Sequence, residues 1–331
     1  MVGFYLTFFP QLLAGPIVRY KNVKNQIEKR TVPFEMIANG AKHFIIGLAK
    51  KVILANTIGS VVDQIFANPA TENTAATAWF GIICYTFQIY IDFSGYSDMA
   101  IGLGNMFGFR VLKNFDYPYS ARSLSDFWKR WHISLSMWFR DYVYLPLSGY
   151  LVKHKWGLRS IYVASSLVVW FLTGLWHGAS LSFLAWGLWH GLFLIIERSL
   201  EGHDTSRHDI SKKLLIPLKC LTTLLIVVVG WVFFRAESLR EAFRYIGVMF
   251  GVVQPRNVGF TVWFYLDTKV ICVLVFAVIA SMPIKKTKIF DGVQRRAIWK
   301  YASAMMALVL LFVSMVFVMA STYNTFIYFQ F

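Results

Sequence analysis

The sequence predicts an all-α integral membrane protein, a polytopic helical bundle with re-entrant or interfacial segments, and three observations carry that prediction. Of its 331 residues, 57% are hydrophobic and 18% aromatic, while only 15% are charged. A soluble domain carries about 25% charged residues, so this chain has too little charge to cover a water-facing surface. Several apolar runs approach or exceed the roughly 20 residues that a helix needs to cross a bilayer. Finally, the basic residues that give a formal net charge of +16 gather in short connectors between those runs.

Four such connectors stand out: Arg19, Lys21, Lys24, Lys29 and Arg30; Lys153, Lys155 and Arg159; Arg207, Lys212 and Lys213; and Lys285, Lys286, Lys288, Arg295, Arg296 and Lys300. Short basic loops between apolar segments follow the positive-inside pattern, which puts them on the cytoplasmic side. No folded basic domain is visible, so nucleic acid is not an expected partner; membrane lipid is.

In chain order, residues 36–58 mix Lys42, Lys50 and Lys51 with apolar neighbours, and 121–150 mix Arg122, Lys129, Arg130 and Arg140 with many aromatics. Both are too polar to face lipid throughout and suit interfacial or re-entrant elements. Residues 77–91 and 99–109 are apolar but separated by Asp92, Ser94, Gly95, Ser97 and Asp98. Residues 161–196 run for 36 positions without a charge. As one helix they would measure about 54 Å, too long for one span, so a break is expected around Gly178-Ala179-Ser180. Residues 214–234 and 301–320 are clear spans, 269–283 is a shorter candidate, and 235–245 reads as an amphipathic surface helix. Cys84, Cys220 and Cys272 each lie in an apolar run, with spacing for neither a disulfide framework nor a zinc site. They read as packing residues.

Polar groups at membrane depth are costly, so their positions locate candidate chemistry. His177 sits in GLWHGA, near the middle of the uncharged run. A neutral imidazole there can take a proton from a hydroxyl and return it, or it can hydrogen-bond a neighbouring helix. His132, in FWKRWH, follows Trp128, Lys129, Arg130 and Trp131. Aromatics interleaved with cations could hold an anionic, partly planar ligand, or could form an interfacial belt. His190 lies thirteen positions after His177, about 220° round an unbroken helix, and reads as structural. Asp92, Ser94 and Asp98 need partners if buried, with Lys50 and Lys51 or an arginine of 122–140 as candidates. They could orient a histidine, bind a substrate hydroxyl, or stitch helices together. G-x-S-x-G, H-E-x-x-H and G-x-x-x-x-G-K-[ST] are all absent, as is a histidine followed five residues later by aspartate. Catalysis, if present, rests on membrane-embedded histidine.

At these residues the chain resembles the membrane-bound O-acyltransferase family, in its bacterial branch of alginate and peptidoglycan O-acetylation proteins. The matching stretches are FFPQLLAGPIVRY (8–20), IYIDFSGYSDMAIGLGNMFGFR (89–110), FWKRWHISLSMWFRDYVYLPL (127–147), GLWHGASLSFLAWGLWHG (174–191) and the terminal FIYFQF (326–331). The resemblance implies one membrane-embedded acyltransferase domain over 1–331, in the bacterial inner membrane and crossing it several times. It implies an essential histidine at His177, acting as base or proton relay, and a second family histidine at His132 beside a tunnel. Trp131 and Arg130 then help to shape the donor path, with Trp128, Trp176, Asp92, Ser94 and Asp98 as further candidates for it. It implies no bound cofactor and no metal, acetyl-CoA as the cytoplasmic acyl donor, a secreted or periplasmic acyltransferase partner, and a polysaccharide acceptor. Family members carry further membrane segments before the FFPQLLAGPIVRY-like stretch, so the chain is expected to be N-terminally incomplete relative to the family.

Rival readings stay open at this point. Asp92, Asp98 and the histidines could serve a transporter, although no inverted halves are evident. The chain could instead be a non-catalytic assembly subunit. Within the family, D-alanyl transfer is the nearest alternative, and alginate, peptidoglycan, another exopolysaccharide or teichoic acid could be the acceptor.

Overall fold

The computed structural model describes residues 2–8, 15–201, 216–256, 258–295 and 297–320. The basic connector at Arg207, Lys212 and Lys213, together with Arg296, residues 9–14 of the 8–20 stretch and the 326–331 terminus, lies outside the described residues.

Every regular element among the described residues is helical. α1 (Val2–Leu6) and α2 (Tyr20–Glu28) precede α3 (Phe34–Ala49), which continues through a π-helical segment (Lys50–Ala55) into α4 (Asn56–Ala67). The stretch 36–58 is therefore not a separate interfacial element, as its lysines suggested. It belongs to one 34-residue helix, Phe34–Ala67. α5 (Ala75–Met106) likewise runs unbroken for 32 residues, about 48 Å, straight through the polar Asp92–Asp98 interval that was expected to divide it. The reason is electrostatic pairing. Lys51 reaches Asp92 at 2.7 Å and Lys50 reaches Asp98 at 2.7 Å, so both carboxylates are met from the α3–α4 helix and α5 need not open to water.

Small residues allow that approach. A Cβ on Gly47 would lie 2.5 Å from the Gly95 carbonyl oxygen, and one on Gly95 would lie 2.8 Å from that of Gly47. Only backbone fits between the two helices, as at close transmembrane crossings. The start of α5 is fixed by Thr74, whose hydroxyl accepts the Thr77 backbone N–H at 3.1 Å.

The 121–150 region folds as three short helices, α6 (Leu124–Arg130), α7 (Ile133–Phe139) and α8 (Leu145–Lys153), with a π-helical turn (Arg140–Tyr144) before α8. The long uncharged run divides where its length required. α9 (Leu158–His177) stops at Gly178, whose φ of +156° an L side chain rarely adopts, and α10 (Leu181–Glu201) returns as a hairpin. α11 (Ile216–Arg235), α12 (Leu239–Met249), α13 (Val262–Tyr265), α14 (Thr268–Ser281), α15 (Lys288–Gln294) and α16 (Ala297–Ala320) are the remaining helices among the described residues. α12 buries Ala242, Tyr245, Val248 and Met249 on one side, and starts at Ser238, which caps the Glu241 N–H at 3.2 Å. Among the described residues, four helices are long and apolar enough to cross a bilayer: Phe34–Ala67, Leu158–His177, Ile216–Arg235 and Ile298–Ala320.

The α9–α10 hairpin is held by close backbone contact. A Cβ on Gly187 would collide with the Trp170 carbonyl oxygen, and one on Gly174 would lie 2.6 Å from that of Phe183. Both obstructions are backbone and cannot rotate aside. Gly187→Ala is predicted to destabilise the protein by about 1–3 kcal/mol, read as a lower thermal unfolding midpoint in detergent micelles. An unchanged midpoint would mean that α9 and α10 can part without loss.

Candidate active site

α6, α7, α9, α10 and α11 enclose a cavity of about 450 Å³. Two predicted residues of different motifs meet there: His132 and His177 both line it. Trp128 and Trp131 of FWKRWH line it too.

His177 is the last residue of α9, set against the glycine that ends the helix. Its ring lies 4.8 Å from that of Trp176, 5.0 Å from Trp186 and 5.0 Å from Phe234. His132 is held at the corner between α6 and α7, in the left-handed region at φ +43°, and is only 4% exposed. For a residue with a Cβ that conformation costs about 1–3 kcal/mol and persists only where surrounding contacts impose it. Those contacts are visible. His132 Nδ1 lies 3.2 Å from Asn114 Oδ1, and the Ile133 N–H donates to the Asn114 carbonyl at 3.0 Å. The Asp116 N–H donates to the Arg130 carbonyl at 2.9 Å. The 114–116 connector thus runs alongside the corner and braces it.

A second brace comes from α10. Glu197 accepts the backbone N–H groups of Leu124 at 2.6 Å and Ser125 at 3.0 Å, and the Ser125 hydroxyl as well. This satisfies donors at the start of α6 and orients the helix that carries Trp128 toward the cavity.

The remaining predicted residues lie elsewhere. Trp176 does not line the cavity. It is 53% exposed, yet its ring stands 6.2 Å from that of His132 as well as beside His177, so it abuts both histidines from outside. Arg130 turns away from the cavity and pairs with Asp126 at 2.8 Å, one helical turn back. Partial burial pushes the Asp126 carboxyl up, but hydrogen bonds from Arg130 and from the Arg122 N–H outweigh it and hold that carboxyl below its usual range. Asp92, Ser94 and Asp98 also lie off the cavity. Asp92 is 1% exposed and tied to Lys51, while Lys50 binds Asp98 and approaches Ser94 at 3.4 Å. Their position is that of the helix-stitching alternative.

His190 packs within a cage of Trp128, Trp170, Trp186 and Trp231, at ring distances of 4.9 to 6.4 Å. It is fully buried and does not line the cavity. Trp186 therefore stands between the two histidines of the hairpin.

Sequence reasoning missed Trp186, Trp231 and Phe234, which complete the cavity wall, and Asn114 and Glu197, which brace it. The aromatics sit in runs where any large apolar residue would be equally plausible. Asn114 lies in a polar connector, and nothing local marks it. Chemically, the site offers two imidazoles in a largely aromatic cavity. There a proton can be taken from a hydroxyl or thiol and returned.

A family model described as the membrane-bound O-acyltransferase family matches residues 4–203, a stretch that includes both histidine motifs. The chain is 44% identical, over 74% of its own length and 45% of the relative's, to the "probable alginate O-acetylase AlgI" of Pseudomonas aeruginosa. It is 33% identical, over 99% of its length and 63% of the relative's, to the peptidoglycan O-acetyltransferase of Helicobacter pylori. Against the teichoic acid D-alanyltransferase of Streptococcus thermophilus it is 30% identical over 65% of its length and 54% of the relative's. The chain spans about half the length of the curated relatives it matches. With more than half of the sequence matched by the family model, this chain belongs to the membrane-bound O-acyltransferase family.

Proposed function

We propose that this chain acts as an O-acetyltransferase of a bacterial inner membrane, which it crosses several times. It moves an acetyl group from cytoplasmic acetyl-CoA toward a cell-envelope or extracellular polysaccharide, with a secreted or periplasmic acyltransferase as partner. The observation that carries this reading is that His132 and His177, from two motifs separated in sequence, line one aromatic cavity.

In the proposed step an acceptor oxygen attacks the thioester carbonyl while its proton passes to the His177 imidazole. As the C–S bond breaks, the leaving sulfur takes that proton back, yielding an ester and a free thiol. Proton balance is kept within the cavity and no cofactor is consumed. His132 completes the proton path from the opposite motif, and the walls of Trp128, Trp131, Trp186 and Trp231 exclude water.

The test is ester-linked acetate on envelope polysaccharide in a deletion strain that carries either this chain or an empty vector. Acetate above the vector level is the expected result. Release of D-alanine in place of acetate would move the reading to the D-alanyl branch. Release of neither from a chain folded in the membrane would remove the acyltransferase assignment for this chain.

A further inference from the structure

The reading of His132 as a proton-handling residue leaves open which ring nitrogen carries the proton, and the surrounding hydrogen bonds answer it. Asn114 is 1% exposed and its side chain is engaged at both ends. One side-chain atom, Oδ1, lies 3.1 Å from the Ser134 backbone nitrogen, 2.9 Å from the Ser134 hydroxyl and 3.2 Å from His132 Nδ1. A backbone N–H can only donate, so the atom facing it must be the amide oxygen. The amide orientation is thereby fixed without any assumption about the histidine. The other end agrees, since Asn114 Nδ2 donates to Ser97 Oγ on α5 at 3.3 Å.

The neighbouring hydroxyl is assigned by the same logic. The Ile17 N–H donates to Ser134 Oγ at 3.0 Å, so that oxygen accepts from Ile17 and its own proton is free for Asn114 Oδ1. Around Oδ1, then, the backbone N–H and the hydroxyl are both donors, and an oxygen can interact favourably with His132 Nδ1 only if that nitrogen is a donor too.

We infer that Asn114 is a positioning residue that locks His132 in its Nδ1–H tautomer, leaving the Nε2 lone pair as the ring's acceptor on the cavity side. In the neutral imidazole one nitrogen donates and the other accepts, and the partner of one sets the role of the other. His132 therefore accepts at the cavity; it receives a hydrogen bond or a proton from a hydroxyl or thiol and does not donate one in its resting state. An amide suits this better than a carboxylate. It fixes the tautomer without a negative charge behind the ring, so a proton taken at Nε2 is not held there by a counter-ion and can be released. The unusual backbone at His132 fits the same role. Left-handed geometry at φ +43° turns Nδ1 back toward the 114–116 connector, and the Ile133 bond to the Asn114 carbonyl holds it so.

This inference rests on the acyltransferase reading only for its consequence. The tautomer itself can be measured with no turnover. In protein carrying ¹⁵N-labelled histidine in lipid nanodiscs, the His132 signals, assigned by their loss in His132→Gln, are expected to show a protonated Nδ1 and a bare Nε2. In Asn114→Ala they are expected to become a mixture of tautomers, with kcat lowered on the order of 10- to 100-fold and KM within a few-fold of the parent. Asn114→Asp keeps an oxygen in place and is expected to restore the single tautomer while kcat stays well below the parent, because the charge behind the ring holds a proton taken at Nε2. A bare Nδ1 in the unsubstituted protein would overturn the proposal, as would an unmixed Nδ1–H tautomer in Asn114→Ala. The spectrum of the unsubstituted protein decides the assignment even if Asn114→Ala fails to fold. A correct tautomer in a protein without acetyl transfer would sink the functional reading and leave the tautomer assignment standing.

Discussion

His177→Ala is expected to reduce ester-linked acetate to the empty-vector level, a loss of at least about 100-fold, since that is the lower range for removing a positioned general base. The residue sits where loss of its ring leaves the scaffold in place. It is the last position of α9, the helix is ended by the backbone of Gly178, and the hairpin is held by the Gly174 and Gly187 contacts. Alanine at a helix terminus introduces no strain, so membrane levels equal to the parent are expected. His177→Gln sharpens the result. Glutamine retains hydrogen-bonding groups and much of the volume but cannot accept a proton near neutral pH. If the imidazole only ties helices together, His177→Gln keeps substantial acetate. If it moves a proton, His177→Gln is as inactive as His177→Ala. Full acetylation in either variant would favour the assembly-subunit reading, in which the chain recruits a separate catalyst.

Much of the architecture was legible because it derives from one-dimensional quantities. A 36-residue uncharged run has to break, and it does so within the Gly178-Ala179-Ser180 stretch where the break was expected. The spans Ile216–Arg235 and Ile298–Ala320 are set by apolar length alone. The errors came from pairs. Asp92 and Asp98 looked like an interruption of α5, and Lys50 and Lys51 looked like the mark of an interfacial segment. Each lysine cancels an aspartate on the other helix, so two polar stretches that read as breaks in isolation become one buried seam in three dimensions. Lys50 and Lys51 stood among the candidate partners of those carboxylates, but pairing between segments more than forty residues apart leaves no local trace of whether each stretch stays helical. The site shows the same division. His132 and His177 stood out by residue type and setting, and the family resemblance set them with Trp128 and Trp131 at one site, whereas the direction of Arg130 and the roles of Asn114 and Glu197 depend on which helix face meets which neighbour.

That seam yields the second large effect. Lys51→Met leaves the Asp92 carboxylate, 1% exposed, without its ammonium partner at 2.7 Å. Removing one member of a buried pair destabilises by about 3–5 kcal/mol, because the remaining charge is neither hydrated nor compensated. A sharp fall in the thermal unfolding midpoint, or loss of the protein from the membrane, is therefore expected. Replacing both members is predicted to behave differently. Lys51→Met with Asp92→Leu removes the charge along with its partner, and such exchanges are often neutral or stabilising by about 1–4 kcal/mol, so the midpoint should return to the parental value or above it. The double variant also separates the two readings of Asp92. If the aspartate belongs to the donor path, a folded double variant will be inactive; if the pair only joins α5 to the helix beside it, acetate will return together with stability. Recovery is the expected outcome, because none of Lys51, Asp92, Ser94 and Asp98 lines the cavity that holds His132 and His177. A destabilised double variant would mean that the interactions beyond the ion pair, which both side chains also make, outweigh it in holding the two helices together.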